Sequence, residues 1–159
     1  MTMSVLLRTL ARVFMRVCFP SVRQLPTAQL GAWLADKSRP QPLLLDVRDE
    51  AEFAVSHLAG ARRVDFGSRA QESLAGVPPE QPIVCYCAAG FRSSAMARRL
   101  ARAGYTEIFN LEGSIFDWAS EGRPLVREGG VTREVHPFNW LGRLMLPRGV
   151  CASVSSLRH

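Results

Sequence analysis

Cys87 opens a short run of small residues that connects a predicted strand to a predicted helix. The strand is the apolar stretch 82–86, and the helix lies within the alanine- and arginine-rich stretch 94–104. Backbone N–H groups of such a tight loop converge on an anion, and the N-terminus of the following helix adds a positive field. The spacing therefore predicts an anion-binding loop that contains a nucleophile.

The loop residues favour a reactive thiolate at position 87. Arg92 carries a permanent charge and donors that match an oxyanion, while Ala88, Ala89 and Gly90 let the backbone approach a bound group. The thiolate is the nucleophilic form of cysteine, and a positive field favours it. The alternative is that Cys87 is an inert, buried small hydrophobe. The small residues 88–90 and Arg92 next to Cys87 favour the reactive interpretation.

Strand-like and helix-like runs alternate around this loop. Strands are predicted at 43–47, 63–66, 83–86 and 107–110, and helices at 27–37, 50–55, 94–103 and 115–120. Ser93 and Ser94 are expected to cap the helix that follows the loop. The alternation predicts an α/β domain with a parallel central sheet, in which the loop lies at the carboxyl end of a strand.

Five motifs occur in the order that one known family shows. They are Leu-Leu-Leu-Asp-Val-Arg at 43–48, Glu-Phe-Ala-Val-Ser-His-Leu-Ala-Gly-Ala at 52–61, the Cys87 loop, Gly-Tyr at 104–105, and Leu-Glu-Gly-Ser-Ile-Phe-Asp-Trp at 111–118. On these motifs the chain resembles the single-domain rhodanese family of sulfurtransferases from about residue 26 to about residue 126. The resemblance implies a three-layer α/β fold with a central parallel sheet flanked by helices.

The resemblance also implies sulfur transfer through a persulfide on Cys87. The cysteine would attack a sulfane sulfur and pass it to a thiophilic acceptor such as cyanide or a thiol. The loop is Cys-x4-Arg, whereas related phosphatases and arsenate reductases carry Cys-x5-Arg. The substrate-binding residues implied are those that follow the cysteine: Ala88, Ala89, Gly90, Phe91, Arg92 and Ser93.

Two departures from the family pattern bear on this assignment. Position 88 is often basic in the family but is Ala88 here, so thiosulfate loses a charge contact worth about 1.5–3 kcal/mol. The expected donor is thiosulfate or a persulfide, and the missing charge makes thiosulfate the weaker candidate. Ser114 stands where a glycine is usual and is interpreted as structural drift.

Two other functions stay open. One is a sulfur-relay or docking module with little free turnover, in which a protein partner supplies the acceptor thiol. The other is a redox or phosphatase-like enzyme.

Other polar and sulfur-bearing residues receive structural roles. Asp46, Arg48 and Glu52 are predicted to form a supporting hydrogen-bond and ion-pair network, and His57 is assigned to a turn. Cys85 is interpreted as a core residue rather than a resolving thiol. No cofactor is expected, and no metal site, because the cysteines and histidines lack paired ligand spacings. A reactive thiol favours a reducing compartment, hence the cytoplasm.

Positive charge is concentrated at the two ends of the chain. All 14 acidic residues lie between positions 36 and 134, whereas seven of the 20 basic residues lie before or after that stretch. At 159 residues with 47% hydrophobic composition, the chain is long enough for one well-packed domain. We divide it into a basic amphipathic extension at 1–25, a rhodanese-like domain at 26–127 and a basic extension at 128–159.

The N-terminal extension has a helical charge pattern. Arg8, Arg12 and Arg16 recur every four residues, with apolar residues on the other side. These arginines exclude a transmembrane span and a secretory signal. Three interpretations stay open: peripheral membrane contact through residues 3–19, a mitochondrial presequence that would place the protein in the matrix, and helices that pack their apolar faces on the domain. No nucleic-acid binding is expected, because the basic residues lack interleaved aromatics.

Overall fold

The computed structural model describes residues 2–68, 72 and 74–153. Helices and strands alternate along most of this length. In chain order the elements are α1 (Met3–Cys18), β1 (Gln24–Leu25), α2 (Thr27–Ala35), β2 (Leu43–Asp46), α3 (Glu50–Val55), β3 (Arg62–Arg63), β4 (Ile83–Tyr86), α4 (Phe91–Arg102), β5 (Ile108–Leu111), α5 (Ser114–Ser120), β6 (Leu125–Arg127), β7 (Gly130–Thr132) and α6 (Trp140–Met145).

Among the described residues, β1 to β5 form a parallel sheet in the order β1-β5-β4-β2-β3. β4 leads directly into Cys87 and lies between β2 and β5, so that all four of its residues are buried. A strand covered on both faces is expected to be a continuous apolar run, as Ile83–Tyr86 is. The structure confirms the predicted α/β fold with a central parallel sheet.

Helices cover both faces of the sheet. Val84 and Tyr86 point into one apolar cluster, which includes Trp118 of α5. Ile83 and Cys85 point into the other, which includes Met96 and Leu100 of α4. This alternation follows from the two-residue period of a strand, and it produces the three-layer arrangement. The loop after β4 therefore extends from a rigid, buried support.

The helix after the loop begins earlier than the sequence predicts. It begins at Phe91, and its N-cap is Gly90 with a φ of 118°, a conformation that favours glycine. Ser93 and Ser94 are buried inside the first turn, so the prediction that they cap this helix is wrong. The left-handed turn at Gly90 closes the loop within three residues of Cys87.

The N-terminal helix α1 packs on the domain through a mixed side, in which Leu7, Ala11 and Met15 lie beside the arginines. Arg8 and Arg12 pair with Asp117 at 2.7 and 3.5 Å, and Arg16 pairs with Glu112 at 2.6 Å. The prediction that the apolar face packs on the domain is therefore wrong for most of that face, because buried carboxylates of the domain attract the charged side. No helix in the described part of the chain is both long and apolar enough to cross a membrane.

Candidate active site

The sulfur of Cys87 is held by donors at the N-terminus of α4. Its Sγ accepts a hydrogen bond from the Gly90 N–H at 3.1 Å, and the Ser93 Oγ lies 3.4 Å away. Cys87 is only 2% exposed. The positive end of α4, a 12-residue helix, faces the loop and the sulfur.

A buried polar cluster supports the loop from β5 and α5. The Ser93 Oγ donates to Asn110 Oδ1 at 2.6 Å, and Asn110 Nδ2 donates to Gln24 at 2.7 Å. The Cys87 N–H donates to the Ser114 Oγ at 3.2 Å, and Ser114 has a φ of 52°. The left-handed backbone explains why glycine suits position 114, and the hydroxyl gives this serine a contact that glycine could not make.

Arg92 directs its guanidinium to a carboxylate of α3. Its two terminal nitrogens donate to the two oxygens of Glu52 at 2.8 and 2.9 Å, and its guanidinium lies 4.6 Å from the centre of the Phe138 ring. Burial alone would raise the pKa of Glu52, but the hydrogen bonds and charge of Arg92 outweigh it and lower that pKa. The positive charge beside the loop is therefore largely balanced by Glu52.

A second buried ion pair lies at the end of β2. Arg48 binds Asp46 through two hydrogen bonds of 2.9 and 2.6 Å and also donates to the carbonyl of Ser56 at 2.6 Å. Burial would lower the pKa of Arg48, but the hydrogen bonds and charge of Asp46 raise it. The network predicted for Asp46, Arg48 and Glu52 is thus present as two ion pairs, Asp46–Arg48 and Glu52–Arg92.

His57 and Cys85 occupy structural positions. The ring of His57 stacks on Phe53 with centroids 3.8 Å apart, and its backbone forms a bridge with Val126. Cys85 is fully buried, and burial with the nearby Cys87 raises its pKa to about 12. A thiol with that pKa stays protonated and inert at neutral pH. The core position predicted for Cys85 is confirmed, whereas His57 lies in an isolated β-bridge rather than in the predicted turn.

Apolar side chains of both chain extensions adjoin the loop. Phe19, after α1, makes an edge contact with Phe91 at 5.5 Å. A Cβ at Gly90 would lie 3.3 Å from the Cγ of Met15. These apolar groups therefore form part of the border of the loop.

The described surface also contains a cavity of about 570 Å³ that does not include the loop. Pro82 and Glu107, at the amino ends of β4 and β5, help to line it, so it lies at the opposite end of the sheet from Cys87. Within the described ranges, no group of three or more His, Cys, Asp or Glu side chains is arranged to hold a metal ion.

Comparison with known proteins identifies the family. The family model of the Rhodanese-like domain matches residues 28–121, which is more than half of the chain. The chain belongs to the rhodanese-like domain family.

Named relatives of this rhodanese-like chain include sulfurtransferases. A sulfurtransferase of Allochromatium vinosum is 30% identical over 109 residues, covering 69% of this chain and 99% of that protein. The probable adenylyltransferase/sulfurtransferase MoeZ of Mycobacterium tuberculosis is 33% identical over 97 residues, covering 60% of this chain. The chain spans 24% of the length of MoeZ. The crystal structure of a thiosulfate sulfurtransferase from Pseudomonas aeruginosa aligns with a TM-score of 0.58 at 30% identity, covering 67% of this chain and 20% of that one.

Two contacts of this rhodanese-like loop escaped sequence reasoning. The interpretation of Ser114 as drift is wrong, because its hydroxyl accepts a hydrogen bond from the Cys87 N–H. Asn110 was not singled out, although it is a buried polar residue in the otherwise apolar strand β5. Such a polar residue next to a predicted reactive strand is the signal that could have identified it.

Proposed function

We propose that this chain is a sulfurtransferase that moves a sulfane sulfur from thiosulfate or a persulfide to a thiophilic acceptor through a persulfide on Cys87. The observation that carries the proposal is the Gly90 N–H that donates to the Cys87 sulfur at the N-terminus of a helix, with the Ser93 hydroxyl 3.4 Å from the same sulfur. Such donors stabilise an anionic sulfur more than a neutral one.

The proposed reaction has two half-reactions. The Cys87 thiolate attacks the outer sulfur of the donor, an S–S bond forms at Cys87, and the donor's own S–S bond breaks with its electron pair leaving on the remainder. An acceptor thiolate or cyanide then attacks the outer sulfur of the persulfide, and the Cys87 thiolate leaves. The backbone amides from Ala88 to Arg92 and the Ser93 hydroxyl hold the negative charge in both steps.

Charge around the loop favours a persulfide over thiosulfate as the donor. Ala88 carries no charge, and the guanidinium of Arg92 is engaged by Glu52 on two hydrogen bonds. A small dianion therefore finds no free cation among these loop side chains, whereas a persulfide needs only the donors at the sulfur. We infer a reducing compartment, the cytoplasm, because the thiol must stay reduced to react.

A relay function is the second candidate, and the apolar border of the loop favours it. Phe91 is more than half exposed and packs against the buried Phe19, so a protein acceptor could bury the Phe91 ring while it presents a thiol to Cys87. In this version the persulfide persists until the protein acceptor arrives.

Mass spectrometry after incubation with a sulfane donor tests the proposal. Trypsin leaves Cys85 and Cys87 on one peptide, because no lysine or arginine lies between positions 70 and 91, so variants must distinguish the two sulfurs. Wild type and Cys85→Ala should gain one sulfur atom and release it to an acceptor. Cys87→Ser should gain none and keep a native far-UV circular dichroism spectrum. Sulfur uptake and transfer by Cys87→Ser would overturn the assignment.

The choice of acceptor separates the two candidates. Rapid release of sulfur to cyanide identifies an enzyme with free turnover. A persulfide that resists cyanide but transfers quickly to a protein thiol identifies the relay.

A further inference from the structure

Exposed apolar side chains are concentrated on the two terminal extensions. Eleven of the thirteen large hydrophobic residues exposed in the described chain lie on α1 or in the segment 138–144, and the other two are Phe91 and Val131. We call these eleven the apolar surface: Met3, Val5, Leu6, Leu10, Val13, Phe14, Val17, Phe138, Trp140, Leu141 and Leu144.

The orientation of α1 creates this surface. A helix on a globular domain normally turns its apolar side inward. Here, among the described apolar residues of α1, only Leu7, Ala11 and Met15 pack on the domain. The ion pairs of Arg8, Arg12 and Arg16 with carboxylates of the domain fix this orientation. Side chains such as Val17, which is 72% exposed, are left in water. Contiguous apolar patches of this kind mark interaction sites.

The two helices form one surface next to the Cys87 loop. α1 packs against α6, and the Arg8 guanidinium donates to the carbonyl of Met145 at 2.8 Å. At the loop, Met15 of α1 lies against Gly90, and the ring of Phe138 lies under Arg92. The apolar surface therefore borders the same edge of the sheet as Cys87.

Charge identifies the partner of this surface. The stretches 1–35 and 135–159 contain no acidic residue. Arg8, Arg12 and Arg16 are paired with carboxylates of the domain, but Arg143 and Arg148, on and after α6, are exposed and complement an anionic surface. Trp140 is 74% exposed, and tryptophan is typical of the boundary between lipid and water. We propose that the apolar surface inserts into the headgroup region of an anionic lipid bilayer, with α1 and α6 in the membrane plane and the Cys87 loop at the membrane surface. The proposal is independent of the sulfur chemistry.

Tryptophan fluorescence of the full chain with vesicles tests this docking. Trp33 and Trp118 are buried, so a blue shift on vesicle binding should come from Trp140. The shift is expected with vesicles of phosphatidylcholine and phosphatidylglycerol and should be much smaller with phosphatidylcholine alone. Trp140→Phe should remove the shift but still co-sediment with the vesicles. A shift that persists in Trp140→Phe would overturn the docked orientation, because the buried tryptophans would then be the ones that respond.

Substitutions on the apolar surface provide the second arm. Phe14→Gln and Val17→Gln should each weaken vesicle partitioning about tenfold, since each removes a large side chain from lipid. Val131→Gln is the matched control, because Val131 is 77% exposed but lies outside the surface, and its binding should be unchanged. Equal weakening by the control, or no binding of wild type to anionic vesicles, would refute the proposal. Dimerisation in sedimentation experiments without vesicle binding would assign the surface to a second copy of the chain instead.

Discussion

Replacement of Ser93 by alanine should slow the chemistry of Cys87, whereas replacement of Ser94 should not. Both serines are buried in the first turn of α4. The Ser93 hydroxyl lies 3.4 Å from the Cys87 sulfur, whereas the Ser94 hydroxyl has no hydrogen-bond partner among the residues that the structure describes. The pair therefore separates a contact with sulfur from a general effect of altering the helix.

The size of the effect follows from the geometry of the Ser93 hydroxyl. A hydrogen bond to a charged group contributes about 1.5–3 kcal/mol. The hydroxyl has only one proton, and Asn110 Oδ1 at 2.6 Å competes with the sulfur at 3.4 Å for it. We therefore take the lower end, about 1.5 kcal/mol, which corresponds to about a tenfold change. The Gly90 N–H still reaches the sulfur in the variant, so the reaction should be slowed rather than abolished.

The assay is alkylation of Cys87 by iodoacetamide near neutral pH in the Cys85→Ala background, followed by peptide mass spectrometry. Ser93→Ala should react more slowly than its parent, by up to about tenfold, because the greater nucleophilicity of a less stabilised thiolate offsets part of the loss; Ser94→Ala should react at the parental rate. The rate of sulfur release from the persulfide should be compared in the same variants. If the two variants react equally, whether both are slow or both are unchanged, the hydroxyl does not stabilise the sulfur and the reasoning is refuted.

Two further predictions concern the ion pairs. Asp46→Asn leaves the buried Arg48 without its carboxylate and should lower the free energy of unfolding in urea by about 3–5 kcal/mol, whereas Glu107→Gln, in an exposed pair, should cost less than about 1 kcal/mol; equal losses would contradict the burial argument. The pKa of Glu52 is lower in the folded state, so the unfolded state binds more protons in acid. The Glu52–Arg92 pair therefore stabilises the fold fully above the ordinary Glu52 pKa of 4.5. This stability is lost as the pH falls through the lower native pKa. Glu52→Gln should therefore flatten the dependence of unfolding free energy on acid pH, and an unchanged acid profile would count against this pair.

The local structure of the loop could be predicted from sequence because its determinants are local. The apolar run before Cys87 predicts a buried strand, and the small residues with Gly90 predict a tight turn before a helix. The predicted start of α4, residue 94, is three residues too late. Ser93 and Ser94 are typical N-cap residues, but the N-cap is Gly90, whose left-handed backbone begins the helix. Order of motifs along the chain was enough to predict the family.

The groups that surround the sulfur could not be predicted in this way. Glu52 and Arg92 are 40 residues apart, and Ser114 is 27 residues from Cys87, so only the pairing of the strands brings these groups together. The sequence predicts that Arg92 binds a substrate anion. Only the fold shows that its guanidinium donates to the carboxylate of Glu52.

The pattern of α1 shows most clearly what sequence determines and what it leaves open. Spacing of its arginines established a helix with one charged and one apolar side, because helical periodicity is a local property. Which side faces the domain depends on carboxylates about a hundred residues away, Asp117 and Glu112, and on the burial that strengthens their attraction for arginine. Only the tertiary structure shows that most of the apolar side faces outward, because the ion pairs that orient α1 join residues far apart in the chain.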